Sequence, residues 1–545
     1  MIAQKKLRAV NRPTRYLAGE MGQDIKQRAN VKITLLVPTI YEEAMSNSEV
    51  IQIYNNVNSK NEVLLERIFA PMPDYENILR RENITYTTLD TETSLKDMQI
   101  ILVLIDDVMQ ITNALNILNL AKIPILNQRR DNTYPLVIFS GRAMLNPKPF
   151  MKFADLVICG EIENVLDQIL DIYSSSELKT KQEIICGLEE LTYTYTNLNL
   201  DKKINWYIQD KFCYISPKKC IVPSIDIGYN PVTLDIFKGN KFEQESFVYG
   251  KYIEKENVVF EIKDKIEKTG EKKITIDTKN VLDFEKIRDI IYKIGQDEDL
   301  KTNKITLTNV EVTKNNLWTL KYVEGKIKIK LEDRYNKLEI LELVKEMFEM
   351  YCFNIQLVYT VGKQKENYED LIALLSLAEK IISTYINMYP NSSKLPMVDI
   401  VLVPFIPVIN TPYQWCEMSL PEKVELKIRY IKDSNKSECI NIIGYDTYIP
   451  CIKTMILRGD TEVGNIIYDA WKNGAKLDNF ESLFRKEPWE IALNKNKKSL
   501  KDYLDKIGTQ DVLPWDNVEV RTTKKELLNI YEREIKQRDE NNSNK

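Results

Sequence analysis

The residues best suited to metal or redox chemistry in this chain are its eight cysteines, at positions 159, 186, 213, 220, 352, 416, 439 and 451. No two of them are two or three residues apart. Zinc ribbons and iron–sulfur loops need such close pairs, because a short spacing lets one turn present two sulfurs to one metal. Cys213 and Cys220 are the nearest pair, and two thiolates alone make a poor cluster site. Scattered cysteines are ordinarily buried, reduced thiols. Histidine is absent altogether. That removes Ser-His-Asp and Cys-His triads, histidine-ligated zinc, iron or haem, and a protein imidazole beneath a cobalamin. No imidazole can shuttle protons near neutral pH. An acid or base here must be a carboxylate, Lys, Tyr or Cys. Drift in an Ile-, Lys- and Asn-rich chain and loss of chemistry both account for the missing histidine.

Residues 234–250 read LDIFKGNKFEQESFVYG. An apolar alternation ends at Lys238-Gly239, and a glycine turn after a strand is a common place for an active-site loop. The stretch nevertheless contains no Cys, no His and no recognisable nucleophile. Gly239 is a candidate for ligand binding all the same, and two further strand-end loops, SGRAMLNP (140–147) and GEIENV (160–165), make Ser140, Gly141, Gly160 and Glu161 candidates for a ligand groove. Tight strand-end turns are the plain alternative. The acidic pairs Asp106-Asp107 and Glu42-Glu43 could hold a hard cation, with solvated charge as the ordinary reading. Trp415 in NTPYQW reads as packing, and the Arg-Gly-Asp at 458–460 as a tie at a helix start. Neither GxGxxG nor GxxxxGK[ST] occurs, so the dinucleotide and P-loop fingerprints are missing.

These loops need elements to hold them. VKITLLVP (31–38), LLERIFAP (64–71), MQIILVLI (98–105), IPILN (123–127), PLVIFSG (135–141) and DLVICG (155–160) read as strands. Helical spacing fills the segments between them, at 46–57, 74–84, 111–121 and 162–173. That alternation predicts a doubly wound parallel sheet, with ligands at the carboxyl ends of its strands. A second series starts near 226. VTLDIF, KKITIDT, NKITLTNV, KIKIKL, FNIQLVYTV and VDIVLVPFIP are its strands, and 257–270, 281–295, 340–351 and 370–389 its helices. Gly295 is expected to cap the second of these. Six strand–helix repeats predict a whole or partial α/β barrel. The expected divisions are an N-terminal arm (1–30), a first α/β domain (31–175), a connecting segment (176–225), a barrel (226–450) and a helical C-terminal region (451–545) with a disordered tail.

Composition narrows the class. The net charge of −4 and a pI of about 5.6 do not indicate nucleic-acid binding through a broad basic face. The N-terminus has no apolar signal core. The apolar runs 100–105 and 398–409 are too short to span a bilayer, so no membrane is expected and the cytoplasm is the expected compartment.

Several stretches together carry a family resemblance: RYLAGEMG (15–22), VPTIYEEAMSN (37–47), ERIFAPMPDYENILR (66–80), PLVIFSGRAMLNPKPF (135–150), DLVICGEIENVL (155–166), PFIPVINTPYQW (404–415), RGDTEVGNIIYDAWKNGAKLDNF (458–480) and DVLPWDN (511–517). The chain resembles bacterial radical-SAM proteins with an N-terminal cobalamin-binding-like domain. The resemblance implies a radical-SAM-like barrel, a [4Fe–4S] cluster and S-adenosylmethionine, with cobalamin as a further cofactor of the first domain. In that family Cys-x-x-x-Cys-x-x-Cys follows the first barrel strand. Here those positions fall on Asn240, Gln244 and Phe247, beside Gly239, and none supplies a thiolate. The glycine-rich segment expected after the second strand reads ITIDTKN (274–280). The later proline-containing motif reads VGKQKE (361–366). The expectation is therefore a pseudoenzyme with no cofactor, acting as a scaffold or regulatory partner of an active paralogue or another protein. The alternative is a radical-SAM-like enzyme or ligand-binding protein that keeps a nucleotide, S-adenosylmethionine or corrin site with altered chemistry.

Overall fold

The computed structural model describes residues 7–26, 28–174, 180–207, 221–228, 230, 232–242, 246–252, 255–279, 281, 283–331, 335–364 and 366–536. Apolar runs in the first third become strands β1 (Val31–Val37), β2 (Val63–Phe69), β3 (Ile100–Leu104), β4 (Leu136–Ser140), β5 (Leu156–Ile158) and β6 (Thr194–Tyr195). They form one sheet in the order β2-β1-β3-β4-β5-β6, parallel except for the antiparallel edge β6. Both faces are covered, which is why the strands are apolar at nearly every position. Val50, Ile53, Tyr54 and Val57 of the helix Ser48–Asn58 pack on one face, with Val165, Leu166 and Ile169 of Ile162–Ser174. On the other face lie the helices Pro73–Arg81 and Ile111–Leu120.

The expected strand at 123–127 does not form. The carbonyls of Pro124 and Ile125 instead accept hydrogen bonds from the Arg130 guanidinium at 2.8 and 3.0 Å. Arg130 is itself fixed by Asp155 at 2.9 Å, so a side-chain network takes up the backbone groups that a ladder would have used.

A short strand β7 (Ile204–Asn205) leads toward the second series. There β8 (Thr233–Asp235) is followed by an antiparallel ribbon of β9 (Phe237–Phe242) and β10 (Ser246–Tyr252). Strands β11 (Lys273–Asp277), β12 (Lys304–Thr308), β13 (Ile327–Leu331), β14 (Ile355–Val361), β15 (Val398–Pro404) and β16 (Ile440–Gly444) follow. They form a three-stranded parallel sheet, β12-β11-β8, and a four-stranded one, β13-β14-β15-β16. Single parallel bridges, Leu307 to Val323 and Glu311 to Lys328, join the two. One apolar core runs under both sheets. Among the described residues the strands make an open arc of parallel α/β repeats. The final strand β16 was not among those expected, and the helix Phe284–Gln296 runs through Gly295 to end at Asp297 instead of being capped by that glycine.

The helix Tyr368–Met388 is, by length and composition, the one described helix long and apolar enough to cross a membrane. Its Leu371, Leu374, Leu377, Ala378 and Ile381 are buried in the arc's core.

The C-terminal region is mainly helical and is not a separate layer. Cys451, Ile452, Met455, Ile466, Ile467, Trp489 and Trp515 share one core with β3, β4 and the helix Ile111–Leu120. The last strand, β17 (Val518–Glu519), pairs in parallel with β7. The tail 537–545 lies outside the described residues.

The N-terminal arm is tied down by Arg67, whose side chain is wholly buried. Its guanidinium pairs with Glu20 and with Asp90, the latter at 2.6 Å, and lies 4.6 Å from the Tyr54 ring centroid. Tyr41 donates to the same Glu20, and Gln23 donates to Asp90 at 2.8 Å. Removing the cation would leave two buried carboxylates uncompensated, which costs on the order of 3–5 kcal/mol. Arg67→Ala should therefore lower the free energy of unfolding, read from denaturant melts, by that much. Arg67→Met combined with Glu20→Gln and Asp90→Asn should recover most of the loss. Equal losses in both variants would show that the charge pairing is not what holds the arm.

Candidate functional site

In a sheet of order β2-β1-β3-β4-β5 the chain reverses direction between β1 and β3. Ligands of open α/β sheets bind in the crevice beyond the carboxyl ends of the strands there. Here the chain's own residues 477–479 occupy that place. Asn113 Nδ2 donates to the carbonyl of Pro38, just past β1, and to Asn479 Oδ1, each at 2.9 Å. Asn113 Oδ1 accepts from the backbone N of Leu477, which adopts φ +55°. Thr112 donates to Asp478 at 2.8 Å, and Asn479 Nδ2 reaches Thr39 Oγ1 at 3.3 Å. Further along the same edge, Asn146 Nδ2 donates to the carbonyls of Leu457 and Gly459 at 2.9 and 2.7 Å. Lys453 pairs with Asp107.

The sequence-derived groove residues lie at this end of the sheet. Ser140 closes β4 and is completely buried; its Oγ has no hydrogen-bond partner. Gly141 has φ +107°, and a Cβ there would stand 2.4 Å from the Ile105 carbonyl oxygen, so the turn requires glycine. Gly160 has φ +137° and bridges to Tyr207, whose carbonyl also accepts from the Glu161 N at 3.0 Å. These four residues thus build tight turns, two of them roofed by the Tyr207 backbone. The acidic pairs are engaged as well. Glu42 binds Arg12 and Arg15, Glu43 accepts from Thr39, and Asp106 accepts from Asn47 at 2.9 Å. Trp415 is buried against Tyr531 and Phe405.

Arg458 ends the helix Tyr448–Arg458 instead of starting one. Its guanidinium donates to the carbonyls of Gln414, Cys416, Tyr503 and Asp505 at 2.6–3.3 Å. Burial pushes its pKa down to about 10, so it stays charged at neutral pH. Asp460 does start a helix turn, accepting from Glu462 N at 2.8 Å.

In the second sheet series, the positions aligned with a cluster loop lie in a ribbon. Asn240 pairs with Tyr249, Lys241 with Phe247, and Gly239 with Gly250, while Gln244 lies outside the described residues. A three-thiolate cluster does not fit these residues, because no cysteine occurs between positions 220 and 352. Cys352 and Cys439 precede β14 and β16, at the amino ends of their strands, whereas the ribbon leaves the carboxyl end of β8. Burial raises the pKa of Cys451 to about 12 and that of Cys159 still further, so both remain neutral thiols. Cys213 and Cys220 lie outside the described residues. Among the described residues no three Cys, Asp or Glu side chains come together as a metal site.

One pair of carboxylates does meet at the carboxyl ends of this arc, which sequence reasoning missed. Asp235 and Asp277 end neighbouring strands in register. Burial raises the pKa of Asp277, while Asn309 donates to it at 2.8 Å; Ser48 of the first domain donates to Asp235. At the end of β14, burial raises the pKa of Glu366, which Lys427 holds at 2.9 Å. An alternating strand pattern marks where these strands end, but not which strand ends are neighbours.

Residues 50–196, covering β2 to β6, match the family model described as radical SAM proteins, N-terminal. This match supports a radical-SAM family protein. No curated protein matches the chain.

The seated segment has a pH signature. Burial raises the Asp478 carboxyl to about 7, with the Thr112 hydrogen bond opposing. A folded value above the ordinary carboxyl value of about 4 means that the folded state holds the proton between those limits. Stability from this group is therefore lost as pH rises from about 4 to 7, by up to ~4 kcal/mol over some three pH units. Asp478→Asn should gain stability relative to the parent as denaturant melts move from pH 5 to pH 8. A pH-independent difference between the two would show that Asp478 titrates normally.

Proposed function

We propose that the chain is a radical-SAM-related protein that has lost its iron–sulfur chemistry and serves as a scaffold or regulatory partner, for an active paralogue or another protein. The first sheet is then a cobalamin-binding-like domain and the second series a radical-SAM-like barrel. One observation carries this reading: the segment that follows β8 is a self-paired ribbon, in a stretch of 131 consecutive residues (221–351) without cysteine. Thiolates are what hold such clusters as a rule. The filled crevice at β1 and β3 supports the same reading for the first domain, since Leu477 to Asn479 stand where a corrin or nucleotide would enter.

A second reading, a retained ligand site with altered chemistry, is favoured by the unpartnered Ser140 hydroxyl and by the carboxylates Asp235, Asp277 and Glu366. Those groups offer acids and bases in a protein without histidine.

Metal analysis tests the loss of the cluster, on which the first reading rests. The full chain should be purified and reconstituted without oxygen, beside a cysteine-bearing relative, and assayed for iron, sulfide and cobalt. Iron and cobalt near zero, against about four irons per chain in the control, are expected. Stoichiometric iron with matching sulfide would overturn the scaffold reading and place the cluster on distant thiols.

A further inference from the structure

The amino ends of the second arc's strands carry an exposed apolar face. The pairing of Ile355 with Val398 starts β14 and β15 level with each other. The segments that lead into them, 350–354 and 394–397, therefore emerge at the same end of the sheet. Tyr351 is 77% exposed there, and Met350, Leu395 and Met397 are each 44–49% exposed. This is the end opposite the strand-end carboxylates Asp235 and Asp277, so the face belongs to neither candidate ligand site.

Tyr351 also holds a backbone that the fold alone would give to glycine. The helix Lys337–Glu349 closes with Tyr351 N donating to the Phe348 carbonyl at 2.9 Å and Cys352 N donating to the Met347 carbonyl at 3.0 Å. That paired closure requires a left-handed residue, and Tyr351 has φ +61°. Glycine ordinarily fills such a position, because a Cβ makes the conformation unfavourable. The ring is nevertheless fixed in place. Phe353 meets it edge-on at 6.3 Å, and Phe353 itself packs on Tyr385 and Tyr389 at 5.3 and 5.7 Å. A large, oriented aromatic kept exposed at a strained position has the properties of an interface anchor. Tyrosine and methionine are also the side chains enriched at the centre of protein interfaces.

Charge identifies the occupant. On the helix side of the face, Glu346 and Glu349 are exposed, and Lys345 offsets one of them. That side keeps one net negative charge. On the other segment, in the turn before β15, Lys394 is exposed. None of these four side chains forms an ion pair among the described residues. A twofold rotation about the apolar residues lays the acidic side of one copy over Lys394 of the other, and brings the two apolar patches face to face. Self-complementarity of this kind is what an isologous contact requires.

We propose that this face is a self-association surface on which two copies of the chain meet about a twofold axis. Tyr351 of each copy packs on Met350, Leu395 and Met397 of the other, with Glu349 opposite Lys394. Four apolar side chains are few beside the roughly 20–30 residues a side of a standard interface. The dimer is therefore weak and concentration-dependent. The proposal does not rest on the scaffold reading.

Sedimentation equilibrium of the full chain, from about 1 to 100 μM, covers the range of such an affinity. The apparent mass is expected to rise from 63.7 kDa toward twice that value. Tyr351→Gly should weaken association on the order of tenfold. The same variant should raise the melting temperature of the dilute monomer, because glycine relieves the left-handed backbone. Loss of assembly with gain of stability separates an interface role from a folding role. Glu349→Lys and Lys394→Glu should each weaken the dimer, and the two combined should restore it. A single mass of 63.7 kDa at every concentration would overturn the proposal. So would an association untouched by Tyr351→Gly, or a double reversal as weak as its single parents.

Discussion

The Asn113 side chain, 2% exposed, uses its amide nitrogen on Pro38 and Asn479 and its oxygen on Leu477 N. A buried carboxamide has to be satisfied, and here two of its three partners come from positions more than 360 residues away in the chain. Withdrawing the C-terminal segment would remove the partners of Asn113 Oδ1, Thr112 Oγ1 and Asn146 Nδ2. Each such group costs on the order of 1–3 kcal/mol if it stays buried and unpaired. Leu477 accepts a left-handed backbone, φ +55°, to reach this position. A non-glycine residue held there is stable only when its surroundings over-determine it. The hydrogen bonds of Asn113 and the apolar core shared with Trp489 provide that.

Because the C-terminal helices complete one face of the first sheet, the two ends of the chain form one folding unit around the second arc. Arg458 extends the constraint. Its four carbonyl contacts join the segment after β15 to residues 503–505. A cation bonded only to neutral carbonyls gains no ion-pair attraction, so its value lies in satisfying four acceptors that would otherwise be buried and bare. The second arc keeps a core of its own. It touches the first domain through the polar contact of Ser48 with Asp235.

Much of this was legible in sequence, and the reasons differ by element. Strands β1, β3, β4 and β15 are near-continuous apolar runs, the signature of parallel strands buried on both faces. Residues 123–127 carry the same signature and form no strand, because Arg130 and Asp155 claim their carbonyls first. Nothing local announces that. Gly295 reads as a helix stop, but Ile294 is buried on the helix face, and packing carries the helix past it. At the candidate sites, Gly141 and Gly160 were recognisable as special backbone positions. What they approach, Ile105 and Tyr207, was not. The closure of the crevice by residues 477–479 could not be read, since a hydrogen bond across most of the chain leaves no periodicity.

The proposed loss of a cluster loop has a physical requirement of its own. A segment organised by a metal depends on ligand bonds for much of its order. Once thiolates are gone, its backbone donors and acceptors must find other partners or remain in water. Pairing β9 with β10 meets that need locally, through ladder bonds from Phe237–Tyr252 to Phe242–Ser246. The ribbon asks nothing of the sheet beneath it, so β8, β11 and β12 keep their parallel register. The first sheet solves a comparable problem by a distant route. A crevice open to a large ligand would leave Asn113 and Thr112 facing solvent, whereas the seated Leu477–Asn479 segment buries them with partners. Local pairing in one half and long-range pairing in the other give the same physical result: strand ends whose polar groups are satisfied by the chain itself.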